Sequence, residues 1–149
     1  LKPIIAVMAL SLSATLAQAE PTGCRTWGTG EDVVTRHDSG LTHLGGASVE
    51  SGNTVVITTN RDILSQQPKF VQEFWYSFEC ARFHSPPREE DDYMADCMAV
   101  REIRDMDILP NESDFRQLVA ELKALPDKMW PGRKPDEVRL QNMEVCFGT

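Results

Sequence analysis

Two short stretches of the chain carry residues that can do chemistry at helical spacing. The first is Phe78-Glu79-Cys80-Ala81-Arg82, where a carboxylate and a guanidinium stand one turn apart. On a helix, that spacing puts both groups on one face, within reach of a charge-assisted hydrogen bond. The second is Asp92-Tyr93-Met94-Ala95-Asp96-Cys97, where two carboxylates stand one turn apart and again share a face. A cysteine follows Glu79 and another follows Asp96, and with Cys24 and Cys146 they complete the four cysteines of the chain.

Helices are needed to position these groups, and the apolar pattern supplies them. From Pro68 to about His84, Phe70, Val71, Phe74, Trp75, Phe78 and Ala81 form a 3.6-residue stripe, and Ser85-Pro86-Pro87 stops the helix. A second helix is expected from about Glu89 to Asp105, with Tyr93, Met94, Cys97, Val100 and Arg104 on its inner face. The acidic run Arg88-Glu89-Glu90-Asp91-Asp92 reads as its solvated start, favoured by the positive end of the helix dipole. Asn111-Glu112-Ser113-Asp114 introduces a third helix, Phe115 to Leu125, and a last short segment runs from Glu137 to Cys146. Ahead of the helices, Thr54 to Thr59 is a β-branched run of strand length, and Glu20 to about Ser51 reads as short strands and turns. Trp75 and Trp130 are expected in the packing.

Helical carboxylates flanked at this spacing have a known use. In zinc peptidases of the zincin type, one helix carries His-Glu-x-x-His, whose imidazoles share a face while the Glu serves as general base on a zinc-bound water. A second helix supplies a third ligand, often from Glu-x-x-Ala-Asp. The chain resembles a family of small exported bacterial zincin-like proteins with a strand, a His-Glu-Cys-x-His helix, a Glu-x-x-Ala-Asp-Cys helix and a Pro-Gly segment before a terminal Cys. The matching residues are Val55-Val56-Ile57, Glu79-Cys80, Ala95-Asp96-Cys97, Pro131-Gly132 and Cys146, so the resemblance covers about Asn53 to Phe147. It implies an α+β, zincin-like fold, with a small N-terminal β-sheet followed by three to four helices and two disulfides.

The same resemblance puts Phe78 and Arg82 at the two His positions, Glu79 at a vestigial general-base position and Asp92 at the third-ligand position. Phenylalanine has no lone pair for a metal, and an arginine repels Zn²⁺. His84 lies two residues beyond Arg82 and points about 200° around the helix from it. His37 and His43 match no ligand spacing. The expectation is therefore a domain with no metal cofactor, in which Arg82 takes the metal's place and neutralises Glu79, Asp92 and Asp96. The alternative is an active metal-dependent hydrolase that binds zinc through an altered set, Glu79, Asp92 and His84.

Composition sets the outer bounds. Lys2, the apolar run Ile4 to Leu16 and Ala17-Gln18-Ala19 have the layout of a secretory signal peptide over residues 1–19, leaving 20–149 as one domain. Export implies two disulfides from the four cysteines, and with the resemblance to a bacterial family it implies a periplasmic or extracellular location. Three connectivities are open. Cys80 with Cys97 and Cys24 with Cys146 is the preferred one, and the resemblance likewise implies a bond between the two site helices. In the chain-entropy model the short loop contributes roughly 3 kcal/mol and the long one somewhat under 5. The formal charge is −8. An acidic surface repels phosphate backbones and anionic lipid, so neither nucleic acid nor a membrane is an expected partner after cleavage. A monomer that binds another envelope or extracellular protein is the expected working form.

Overall fold

The structure is a computed structural model, and it describes residues 20–25, 32–84 and 90–149. The proposed signal segment and Arg88-Glu89 of the acidic run lie outside the described residues. The fold is α+β. Four strands, β1 (Glu20–Arg25), β2 (Asp32–His37), β3 (Gly45–Val49) and β4 (Val55–Thr59), form one sheet in the order β1-β2-β4-β3. β4 is the hub, pairing parallel with β2 and antiparallel with β3, and Val55, Val56 and Ile57 are buried along it. Its β-branched residues suit a central strand covered by helices.

Among the described residues five helices follow: α1 (Arg61–Ser65), α2 (Lys69–Ala81), α3 (Asp92–Asp105), α4 (Glu112–Ala124) and α5 (Glu137–Gly148). The count exceeds the expected three to four because Asn60 caps the short α1, its side chain accepting from the backbone N–H of Asp62 and Ile63. Asp91, Asn111 and Asp136 cap α3, α4 and α5 in the same way. The apolar stripe of α2 is buried through Val71, Phe74, Trp75 and Phe78, against Ala95, Ala99, Val100 and Ile103 of α3 and Leu118 and Leu122 of α4. The small side chains of Ala95 and Ala99 leave room for close contact.

The inner face of α3 corrects the sequence expectation. Tyr93 and Met94 are exposed, and the buried residues are Ala95, Asp96, Ala99, Val100 and Ile103. The stripe is rotated because a polar residue, Asp96, belongs to it, and apolar periodicity gives no weight to a buried carboxylate. Cys97 and Arg104 fall on a different stripe, which faces α5: Arg101 donates to the Cys146 carbonyl and Arg104 to the Phe147 carbonyl.

That rotation also corrects the disulfides. The structure joins Cys24 to Cys80 and Cys97 to Cys146, not Cys80 to Cys97 and Cys24 to Cys146. Cys80 shares its side of α2 with Glu73, Tyr76 and Ser77, where β1 brings Cys24, whereas Cys97 looks at α5. Facing helices therefore carry cysteines that face apart. The two bonds close loops with sequence separations of 56 and 49 residues, each worth roughly 4 kcal/mol in the chain-entropy model. One ties an outer strand to the core and the other ties α5 to α3.

Candidate functional site

The candidate site lies where α2 meets α3 and the segment from Pro126 to α5 closes over both. Glu79 is 0% exposed. Its Oε2 accepts from the backbone N–H of Ala47 on β3 at 2.7 Å and from Arg82 Nη1 at 2.5 Å, and its Oε1 accepts from Trp130 Nε1 at 3.1 Å. Arg82, at the C-cap of α2, is 5% exposed. Its Nη1 also donates to the Ala47 carbonyl at 3.1 Å, and its Nη2 donates to Glu90 at 2.6 Å. The Arg82 Nε is buried with no hydrogen-bond partner among the described residues.

Across the helix pair, Asp96 is also 0% exposed. It takes a bidentate fork from Arg139, Nε to Oδ2 at 2.7 Å and Nη2 to Oδ1 at 2.8 Å. The Asp136 cap fixes where α5 begins, accepting from the Arg139 backbone N–H at 2.9 Å, and so sets Arg139 in the first turn opposite Asp96. Arg139 Nη1 donates to the Arg133 carbonyl at 2.7 Å and lies 3.6 Å from Asp92 Oδ2. Arg133 bonds Asp92 Oδ1 at 2.7 Å and pairs with Glu90. The ion pairs join into one chain of alternating sign: Glu79, Arg82, Glu90, Arg133, Asp92, Arg139, Asp96.

Burial and charge act on this chain in opposite directions. Burial pushes the Asp96 carboxyl up to about 6, against the pull of the Arg139 fork, and the nearby Asp92 and Asp136 charges add to the rise. For Arg139, burial works against the charge, but the Asp96 hydrogen bond and the charges of Asp96, Asp92 and Asp136 outweigh it and raise its pKa. Arg133 is lowered, first by burial and then by the charges of Arg82 and Arg139.

No protein-family model, curated protein or solved structure matches this chain.

The residues at the implied ligand positions do not fit Zn²⁺. Phe78 is buried, with Trp130 edge-on at 5.1 Å between centroids and the Arg139 guanidinium 4.9 Å from its ring centroid. Arg82 is a cation, and Asp92 is flanked by two more, Arg133 and Arg139. Among the described residues, no three His, Cys, Asp or Glu side chains group as a metal site requires.

The structure brings Glu79 and Arg82 together but separates Arg82 from Asp92 and Asp96. The expectation that Arg82 neutralises all three carboxylates is corrected, since Asp92 and Asp96 meet Arg133 and Arg139 instead. The cause is reach. Arg82 turns toward β3 and Glu90, and Phe78 and Trp130 fill the space beside Glu79. His84 is half-buried, and among the described residues it makes no bond within the cluster and its Nδ1 has no partner. His43 Nδ1 accepts from the Gly45 backbone N–H, and His37 Nδ1 lies against the Thr59 carbonyl.

Sequence reasoning missed Arg133, Arg139, Glu90 and the N–H of Trp130. Arg139 left one readable trace. A cation in the first turn of a helix opposes the dipole, so an arginine three residues after a capping Asp calls for a carboxylate partner elsewhere.

Proposed function

We propose that this chain is an exported, catalytically inactive, metallopeptidase-like domain whose role is structural or protein-binding. One observation carries the reading: the carboxylate at the general-base position is buried and already holds three hydrogen bonds. Glu79 accepts from three donors, one of them a guanidinium, and is sealed from solvent. A general base needs a lone pair within reach of the proton that it takes, whereas three hydrogen bonds occupy most of the acceptor sites of Glu79 and burial closes it to water and substrate. It acts instead as a tie between β3, α2 and the segment carrying Trp130.

Two further features support the reading. Two disulfides suit an oxidising compartment, and no helix among the described residues is long and apolar enough to cross a membrane. The Arg139 fork and the Arg133 pairs replace the charge that a cation would bring between α2 and α3.

Zinc content tests the proposal. Elemental analysis of the oxidised protein is expected to find no stoichiometric zinc, and Glu79→Gln should lower stability without removing any peptidase activity. A Phe78→His/Arg82→His variant restores the imidazoles and should take up zinc if the helix pair keeps a zincin geometry. Stoichiometric zinc in the natural chain, with a peptidase activity abolished by Glu79→Gln, would instead establish the altered-ligand hydrolase.

A further inference from the structure

Among the described residues β3 is an outer strand, paired on one side only, with β4. Its residues alternate in direction. Leu44 and Glu50, at its two ends, bond to Asn60 and Thr54 around β4, which sets the even-numbered positions facing inward. Gly45, Ala47 and Val49 therefore turn their backbone groups away from the sheet. An outward row of this kind is a template for another strand.

At Ala47 the template is already filled. Its N–H donates to Glu79 Oε2 at 2.7 Å, and its carbonyl accepts from Arg82 Nη1 at 3.1 Å. The same Oε2 and Nη1 are bonded to each other at 2.5 Å, so an acceptor and a donor stand side by side. A residue of a neighbouring strand presents the same pair through its own C=O and N–H. The ion pair lies directly against the strand, since a Cβ at Gly46 would sit in ordinary contact with it, 3.4 Å from Arg82 Nη1 and 3.5 Å from Glu79 Oε2. One position earlier, His43 Nδ1 accepts from the Gly45 N–H at 3.0 Å.

We infer that the Glu79–Arg82 ion pair is an edge cap that stands in for a neighbouring strand on β3, and that it shuts out the β3 edge of a second copy of this chain. The second copy is the occupant the geometry specifies. Two β3 strands running antiparallel with Ala47 against Ala47 exchange both bonds about a two-fold axis, so the edge is complementary to itself. Ala47 is the middle residue of β3, so capping it blocks the centre of that pairing. The inference does not depend on the peptidase resemblance, because the cap operates through Ala47 whether or not the domain ever held a metal.

The natural protein gives the first test. By NMR-detected hydrogen exchange, the Ala47 amide should be protected at least about tenfold more than the Val49 amide, an outward neighbour without a side-chain cap, the factor corresponding to roughly 1.4 kcal/mol of extra opening free energy. Equal rates at the two amides would overturn the cap. The second test opens the edge with Glu79→Leu/Arg82→Met, which removes both charges and so leaves neither buried alone. Light scattering should then show a concentration-dependent dimer where the natural chain is a monomer. Adding Val49→Pro removes an outward N–H without breaking a bond to β4, and it should restore the monomer. A folded double variant that stays monomeric, or a dimer indifferent to Val49→Pro, would overturn the inference. If the double variant does not fold, Arg82→Met alone, which frees the Ala47 carbonyl, is read by the same comparison with and without Val49→Pro.

Discussion

Glu79 and Asp96 look alike in the sequence and are held differently in the structure. Each is a helical carboxylate followed by a cysteine, and each is fully buried on one of two facing helices. Glu79 meets an arginine of its own helix region, three residues on, and two further donors from β3 and the Trp130 segment. Asp96 depends on one arginine from α5, with a sequence separation of 43 residues, through a bidentate fork. One carboxylate has its charge compensated locally and its lone pairs spread over three elements. The other has a single partner among the described residues, delivered by α5, which the Cys97–Cys146 bond ties to α3. Dependence on one distant group should make Asp96 the more fragile of the two.

Arg139→Met should break the comparison most severely. It leaves a buried carboxylate without the only cation that pairs with it among the described residues, and losses of this kind run to about 3–5 kcal/mol. Urea unfolding at neutral pH should show the drop, and most of it should disappear in the double variant with Asp96→Asn. An Arg139→Met protein as stable as the natural one would mean that Asp96 is not held as described.

Arg82→Met should have a smaller effect, about 2–3 kcal/mol, because Glu79 keeps the Ala47 and Trp130 hydrogen bonds. Glu90 also keeps Arg133. The ranking of the two arginine variants, measured under one condition, is the test. If Arg82→Met were the more damaging, the β3 end of the chain of ion pairs would be the one that holds the fold.

The difference between the two ends also explains what could be read from the sequence. The helices, the buried β4 strand and the Glu79–Arg82 spacing follow from local periodicity, which the sequence states directly. The partners of Asp96 and both cysteine pairings depend on how whole helices are rotated, and a buried Asp96 turned the inner face of α3 away from its apolar pattern. Tyr93 and Met94 were assigned inward for that reason, and Cys97 with them. The pairing of Cys80 with Cys97 rests on the resemblance and on their internal positions in the chain, and neither registers that the rotation of α3 turns Cys97 toward α5. The β3 edge was likewise invisible, since Gly45 to Val49 has neither length nor bulk to announce a strand.

pH sharpens the comparison at the Asp96 end. Its carboxyl is raised in the folded protein to about 6 from an ordinary value of 3.8, so the folded state binds the proton more tightly than the unfolded one. The contribution of this group to stability is therefore fully present below about pH 4 and is lost as pH rises through about 6, on the order of 2–3 kcal/mol. The unfolding free energy of the natural chain, less that of Asp96→Asn, should fall across this window and level off above it. A difference that stays flat from pH 4 to pH 7 would contradict the assignment.

The smallest effect is expected from a pair that the sequence makes look equally important. Glu112 and Arg116 stand one turn apart on α4, as Glu79 and Arg82 do at the end of α2, and they too are paired. Their side chains are 66% and 74% exposed, however, and water screens the attraction. Exposed pairs of this spacing are worth a few tenths of a kcal/mol. Arg116→Ala should therefore leave the unfolding midpoint nearly unchanged, while Arg82→Met shifts it clearly. Spacing places two charges on one helix face, but burial decides what their pairing is worth. Equal effects from the two substitutions would place Arg82 among ordinary surface arginines and remove its role in closing β3.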